Sequence, residues 1–173
     1  VVLALIGLVG LGLALPFVAL ANALWSPGPL FYRQQRLGRG GRPFTVIKLR
    51  SMTTDAERLS GAVWCEEGDP RITPVGRFLR KSRLDEVPQV INVLRGEMSL
   101  VGPRPNVPRE VALYTEEENK LLGVKPGITD LASIVFSDEG EILEGSEDPD
   151  LKYHQIIRPW KSRLSLLYVE KGT

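Results

Sequence analysis

The sequence contains one cysteine, Cys65, and one histidine, His154. A lone cysteine excludes an internal disulfide, which fits a reducing compartment. One Cys and one His leave too few ligands for a structural zinc site. As a nucleophile Cys65 lacks support, because the only histidine is far away in the sequence. Net charge is also nearly absent: 22 Lys and Arg face 21 Asp and Glu, a formal +1. That balance gives no general attraction for a polyanion, and no nucleic-acid partner is expected. There is no internal repeat and no low-complexity tract. Finally, residues 1–25 carry no charge of either sign.

That last absence is the most informative. As one helix, 25 apolar residues extend about 37 Å at ~1.5 Å per residue, enough to cross the hydrocarbon core of a bilayer. A cleaved signal peptide is disfavoured: no charged n-region precedes the run, and no A-x-A site is followed by a secreted, Cys-paired domain. The first residue is Val rather than Met, consistent with a trimmed start. Pro16 removes a backbone donor and clashes with the preceding turn, so a helix through it should kink. Each arm is then too short to span by itself, which permits a segment that dips into the membrane and returns. An ordinary spanning helix with a tolerated proline satisfies the same residues. Asn22 suits an interfacial depth in either arrangement, and Trp25 and Tyr32 suit interface anchors.

Charge is segregated along the rest of the chain. Residues 31–50 carry Arg33, Arg36, Arg39, Arg42, Lys48 and Arg50 and no acid. A basic block placed directly after an apolar segment reads as membrane-proximal and cytoplasmic. Residues 110–150 are dominated by acids and read as a solvated face or loops. Ser26-Pro27-Gly28-Pro29 ends the apolar helix. Leu30–Gln35 and Pro43–Leu49 read as strands joined through a glycine-rich turn. Helices are expected over Thr53–Leu59, Val75–Val87, Pro88–Leu94 and Glu110–Leu122. Gly96–Pro105 reads as loop and Pro126-Gly127 as a turn. Two last helical segments, Leu151–Ile157 and Lys161–Val169, are expected on either side of Pro159. Trp160, Lys161, Arg163, Leu164, Leu166 and Leu167 suit either a surface on lipid headgroups or a core-facing helix.

Chemistry concentrates in residues 77–105. Asp85 and Glu86 follow four cations, Arg77, Arg80, Lys81 and Arg83. Adjacent carboxylates repel, so the pair is stable as a dianion only near cations, a metal or a helix N-terminus. A carboxylate among phosphate-binding cations can attack phosphorus and form an acyl-phosphate. A divalent ion such as Mg²⁺ would neutralise a diphosphate and allow an anion to approach it. The plainer alternative is a surface helix with ion pairs such as Arg83 with Glu86. Further on, Val101-Gly102-Pro103-Arg104-Pro105 holds one guanidinium between two prolines that fix φ. It is either a rigid phosphate grip or a structural turn.

These residues resemble a family. The matching segments are Ser26-Pro-Gly-Pro-Leu-Phe, Gln35-Arg-Leu-Gly, Gly41-Arg-Pro-Phe, Lys48-Leu-Arg-Ser-Met, Gly76-Arg-Phe-Leu-Arg, Leu84-Asp-Glu-Val-Pro-Gln, Asn92-Val-Leu-Arg-Gly-Glu-Met-Ser, Val101-Gly-Pro-Arg-Pro and Lys125-Pro-Gly-Ile-Thr. In this order and spacing, over about residues 10–132, they resemble the bacterial sugar transferases, monotopic phosphoglycosyl transferases that act on polyprenyl phosphate. The resemblance implies that a sugar-1-phosphate passes from a UDP-sugar to undecaprenyl or another polyprenyl phosphate, with release of UMP. It implies a ping-pong route through a covalent phosphosugar on Asp85, at the start of glycoconjugate assembly. Glu86 then helps place the metal or manage protons, and Asp85 and Glu86 are the expected Mg²⁺ ligands. Arg80 and Arg104 are the implied phosphate or nucleotide contacts. Lys48, Arg50, Gln89 and Asn92 fall on motif positions and are expected at the substrate site without individual roles.

The family also resolves the ambiguity at Pro16 in favour of a re-entrant hairpin, both ends cytoplasmic. The expected fold class is α+β, mostly α: a re-entrant helix over residues 1–25, then a membrane-associated domain over 26–173 with a small β-hairpin and amphipathic interfacial helices. The expected location is the cytoplasmic face of a bacterial inner membrane, among membrane lipids; a homo-oligomer is left open. Two departures stand out. Leu15 occupies the position before the proline, where a serine is common. After Thr129 the chain reads Asp130-Leu-Ala-Ser-Ile, with an acidic segment and Pro159-x-Lys161 beyond, so the identity of the sugar does not transfer. The sequence ends soon after Tyr168-Val169, where many members continue with another helix.

Overall fold

The computed structural model describes residues 2–56, 68–137 and 139–172. The chain divides into two compact units. One comprises Val1–Gln34, Thr45–Ala62 and Gly68–Gly96; the other comprises Gln35–Phe44, Val63–Glu67 and Glu97–Thr173. Cys65, and the end of the helix expected over Thr53–Leu59, lie outside the described residues; 54–56 form a turn.

In the first unit, the apolar run forms one helix, α1 (Val2–Trp25), which continues through Pro16. Its hydropathy and its 24 residues make it long and apolar enough to cross a membrane. Ala4, Leu11 and Asn22 are buried, with Gly7 half-buried between the first two. This spacing of three to four residues traces one helix face, the expected row for a packed stripe. The remaining faces are exposed and apolar: Phe17 is 77% exposed and Leu13 71%. The packed stripe meets α2 (Pro74–Lys81), a 3-10 segment (Leu84–Gln89) and α3 (Val90–Leu94).

Strands β1 (Phe31–Leu37) and β2 (Pro43–Leu49) form the expected hairpin, closed by a short 3-10 turn, Arg39–Gly41. Its base belongs to the first unit and its tip to the second. Val46, Ile47 and Leu49 of β2 join Leu79 and Val90 in the buried apolar set.

Helix α2 starts at a capped end: Oγ1 of Thr73 accepts from the Gly76 amide at 2.9 Å, and Pro74 fills a first-turn position. The helix does not run to Val87 as the periodicity predicts. It stops at Lys81, the Ser82 hydroxyl donates back to the Phe78 carbonyl at 2.8 Å, and Arg83 takes a left-handed φ of 58°. The reversal ends one helix and lets a new helical run begin at Leu84. Pro88 sits inside this run rather than opening it. Its missing N–H falls where 3-10 geometry gives way to α.

The second unit contains a parallel pair that the sequence reading missed. Strand β3 (Ser99–Val101) pairs with β4 (Gly127–Thr129), Ser99 opposite Gly127 and Val101 opposite Thr129. Both are three residues long and were read as loop and turn. Pattern alone carries no signal over so short a stretch. The helix expected over Glu110–Leu122 is broken into α4 (Pro108–Val111) and a 3-10 segment (Glu118–Gly123). Then follow α5 (Leu131–Val135), α6 (Glu139–Leu143), α7 (Pro149–Lys152), a π-helical turn (Tyr153–Ile157) and α8 (Arg158–Lys171). Pro159 therefore does not separate two helices. It stands in the first turn of α8, directly after the π turn, where the hydrogen-bond ladder is already out of α register. Leu143, Tyr153 and Ile157 form the core here, with Phe136 and Ile142 against them.

The acidic stretch is not simply a solvated face. Glu110, Glu118 and Asp130 are buried. Burial is tolerated because each has partners. Glu118 accepts from the Thr115 amide and the Ser162 hydroxyl and pairs with Arg158 at 3.0 Å. Asp130 caps α5 through the Ser133 amide and accepts from the Ser165 hydroxyl of α8. Glu110 lies 3.5 Å from Arg109 and 3.9 Å from His154. On α8, Trp160 and Leu167 are exposed while Lys161 pairs with Glu139, so the expected lipid-facing set is only partly on one surface.

Candidate active site

The run Leu84–Leu94 carries four of the expected site residues: Asp85, Glu86, Gln89 and Asn92, all buried. Their burial follows from helical geometry, since the run packs with one side against α1 and α2. Asp85 and Glu86 occupy its first turn, where unpaired backbone amides favour negative charge.

Strand β2 supplies the partners. Lys48 Nζ lies 2.8 Å from Oε1 of Glu86, an ion pair largely shielded from water. Lys48 thus neutralises one charge of the adjacent pair, which makes two neighbouring carboxylates tolerable in a buried turn. Asn92 holds the other end of the run. Its Oδ1 accepts from the Ile47 amide at 3.2 Å, and its Nδ2 donates to the Thr45 carbonyl at 2.8 Å. The side-chain amide pairs with β2 much as a neighbouring strand would. These two clasps fix the dyad against β2.

Arg50, two residues past Lys48, is turned to the end of α1. Its guanidinium donates to the Pro29 carbonyl at 2.6 Å, the Ser26 hydroxyl at 3.1 Å, the Met52 carbonyl at 3.2 Å and Asn22 Oδ1 at 2.7 Å, and also to the Ser26 carbonyl. Asn22 in turn donates to the Gly28 carbonyl at 3.0 Å. Gly28, at φ 138°, leaves room that a Cβ would take from the guanidinium and Thr54. Burial lowers the Arg50 pKa from its ordinary value, yet its acceptors keep the cation well solvated by protein.

Arg80 lies half-buried on the last turn of α2. Among the described residues its guanidinium makes no ion pair or hydrogen bond, which leaves its donors available to an anion.

Arg104 belongs to the second unit. The backbone around it is pinned on both sides. The Gly102 amide donates to Thr129 and the Gly127 amide to Pro103, each at 3.0 Å. The Leu37 amide donates to Asn106 at 3.0 Å, and Arg36 donates to the Pro105 carbonyl at 3.1 Å. Gly102 and Gly127 pass so closely that a Cβ on Gly127 would collide with the backbone of Gly102. A narrow cleft of about 10 Å³ borders Arg104, with Leu37, Tyr114 and Leu122 among its walls. Burial raises the Tyr114 pKa, so its hydroxyl stays neutral beside Asn106. The tie between hairpin tip and Pro-Arg-Pro loop is not visible in the sequence, where Arg36 belongs to a basic block and to the segment Gln35-Arg-Leu-Gly.

A profile of the bacterial sugar transferases matches residues 1–168.

The chain belongs to the bacterial sugar transferase family.

Several curated proteins are similar over most of it. A Bacillus subtilis (strain 168) protein, named "Putative undecaprenyl-phosphate N-acetylgalactosaminyl 1-phosphate transferase", is 49% identical over 120 residues, 67% of this chain and 64% of that one. A Caulobacter vibrioides UDP-glucose:undecaprenyl-phosphate glucose-1-phosphate transferase is 45% identical over 150 residues, 83% of this chain and 56% of that one. An Escherichia coli (strain K12) protein of the same name is 43% identical over 154 residues, 83% of this chain and 32% of that one. The chain therefore spans from about a third to just under two thirds of the length of these relatives.

The resemblance to this family also implies a magnesium ion. Among the described residues no cluster of three or more metal-ligating side chains occurs, so they form no all-protein cage. Mg²⁺ is commonly held by one or two carboxylates together with water and substrate phosphates. The adjacent oxygen donors of Asp85 and Glu86 fit that donor set.

Proposed function

We propose that this chain is the catalytic region of a phosphoglycosyl transferase that moves a sugar-1-phosphate from a UDP-sugar to undecaprenyl phosphate, with Asp85 as nucleophile. One observation carries the reading. The turn that bears the buried Asp85–Glu86 pair packs on α1, the exposed apolar helix. A carboxylate at that place can meet a substrate with a soluble nucleotide and an acceptor with a lipid tail. The names of the relatives, which specify undecaprenyl phosphate as acceptor, support the same reading.

The chemistry proceeds in two displacements. An Asp85 carboxylate oxygen attacks the phosphorus bearing the sugar. The bond from that phosphorus to the bridging oxygen breaks, and UMP leaves with the oxygen and its electron pair. Asp85 then holds the sugar-phosphate as an acyl-phosphate. In the second step an oxygen of the lipid phosphate attacks the same phosphorus, the bond to Asp85 breaks, and its carboxylate is restored. The product is a lipid diphosphate sugar. Mg²⁺, held by Asp85 and Glu86, would offset the negative charge of the diphosphate. Lys48 holds Glu86 in place, and Arg80 draws the phosphates toward the turn. Packing of the turn against α1 limits water, which would otherwise hydrolyse the acyl-phosphate.

The same reading makes α1 a re-entrant anchor with both ends on the cytoplasmic side, where UDP-sugars are available. Its first half supports this. Ala4 is buried, and a Cβ on Gly7 would lie 3.0 Å from Val90 of α3. Near its other end the helix is tied by Asn22 to Arg50. Both halves thus pack on elements of one unit, whereas a helix crossing the bilayer would leave its first half among lipids.

The test is UMP release from UDP-glucose, UDP-galactose and UDP-N-acetylgalactosamine, with undecaprenyl phosphate and Mg²⁺. Release from at least one donor is expected. No release from any of them, by protein that is folded, would contradict the proposal.

A further inference from the structure

Glu86, Gln89 and Asn92 recur every three residues along the run Leu84–Leu94. Over the 3-10 stretch Leu84–Gln89 that spacing aligns Glu86 with Gln89, and Asn92 follows one turn later in α3. All three are polar and buried; Gln89 is 2% exposed and Asn92 is 0%. Both ends of the row are satisfied by β2: Glu86 by Lys48, and Asn92 by the backbone of Thr45 and Ile47. The middle member differs. Nε2 of Gln89 is buried with no hydrogen-bond partner among the described residues.

Buried donors in folded proteins are almost always paired, because an unpaired one loses its water and gains nothing. An apolar side chain of the same length would serve the fold better at this position. The donor is therefore matched to an acceptor that arrives with the substrate. Asp85, one helical turn earlier, is where the phosphoryl group is carried. We infer that the Gln89 side-chain amide donates a hydrogen bond to a phosphoryl oxygen of the sugar-phosphate at Asp85. A neutral donor suits this task. It stabilises charge on the phosphoryl oxygens during transfer without adding a fixed cation that would hold the group afterwards. The inference rests on the reading of Asp85 as nucleophile.

The experiment compares wild type with Gln89→Met, which keeps length and loses the donor, and with Gln89→Leu as a second apolar variant. Each is measured in detergent for thermal midpoint and, well below that midpoint, for UMP release from the donor on which wild type is fastest. The thermal midpoint is expected to stay or rise, because a buried unpaired donor is removed. The rate per folded molecule is expected to fall about ten- to a hundred-fold, the scale of one hydrogen bond to a charged group. An unchanged rate overturns the inference. A lowered midpoint in both variants overturns it as well, because the amide would then be serving the fold. Asp85→Asn is the reference arm: if it releases UMP like wild type, the nucleophile reading fails, separately from the role of Gln89.

Discussion

Arg50 Nη2 lies 2.7 Å from Oδ1 of Asn22, near the end of the apolar helix. Arg50 and Lys48 stand two residues apart on one stretch of chain, so the strand that holds Glu86 through Lys48 continues into a residue that holds α1. The apolar helix and the carboxylate pair are thereby set by one segment.

This coupling is measurable as a double-mutant cycle. Asn22→Leu leaves the guanidinium one acceptor short, and Arg50→Met leaves the Asn22 carbonyl without its donor. Each substitution is expected to cost about 1–3 kcal/mol in detergent unfolding. The pair should be non-additive by about 0.5–3 kcal/mol, as residues in direct contact are. Simple additivity would mean that the two act separately.

Asn92 is expected to matter for the fold before it matters for substrate. Asn92→Leu leaves the Ile47 amide and the Thr45 carbonyl unpaired in a buried place. The expected loss is about 2–6 kcal/mol, twice the cost of one unsatisfied group. Denaturant unfolding checks this, and a loss below that of a surface substitution would contradict it. Its family motif position suggested a substrate contact; its two clasps on β2 suggest that it positions the dyad instead.

Glu118 gives the second unit a pH-dependent contribution. Burial alone would raise its pKa, but hydrogen bonds from Ser162 and Thr115 and the charge of Arg158 hold it below the ordinary carboxylate value. The folded form therefore binds its proton at lower pH than the unfolded chain. The contribution is complete above the unfolded pKa, about 4.3, and is lost as pH falls through the depressed folded value. Wild type should lose stability over that acidic window more steeply than Glu118→Gln. Parallel curves for the two proteins would refute the assignment.

The re-entrant arrangement predicts labelling from one side. In a Cys65→Ser background, Val2→Cys and Trp25→Cys should both react with a membrane-impermeant maleimide applied to the cytoplasmic face, and neither from the opposite face. Reaction from opposite faces would establish a spanning helix.

Much of the site was legible in the sequence because its signals are local. The uncharged run, the adjacent carboxylates of Asp85 and Glu86 behind a cluster of cations, and the proline-flanked Arg104 each lie within a few residues. The hairpin was legible too, since its glycines and the alternation on either side are contiguous. What escaped was set by distance. The pairing of Ser99 with Gly127 joins two three-residue strands with no pattern of their own. The end of α2 at Lys81 depends on a left-handed Arg83, which no periodicity predicts. Burial of Glu118 depends on Arg158 and Ser162, about 40 residues away along the chain. Motif position gave no way to separate Lys48, which meets Glu86, from Arg50, which meets α1.

The central claim is a bond between Asp85 and the sugar-phosphate, and intact-protein mass spectrometry tests it most directly. Protein incubated with its UDP-sugar and Mg²⁺, without lipid acceptor, should gain the mass of one sugar-phosphate. It should lose that mass when undecaprenyl phosphate is added, and Asp85→Asn should never acquire it. An adduct of the same mass on Asp85→Asn, or its absence from wild type while UMP is released, would contradict the account.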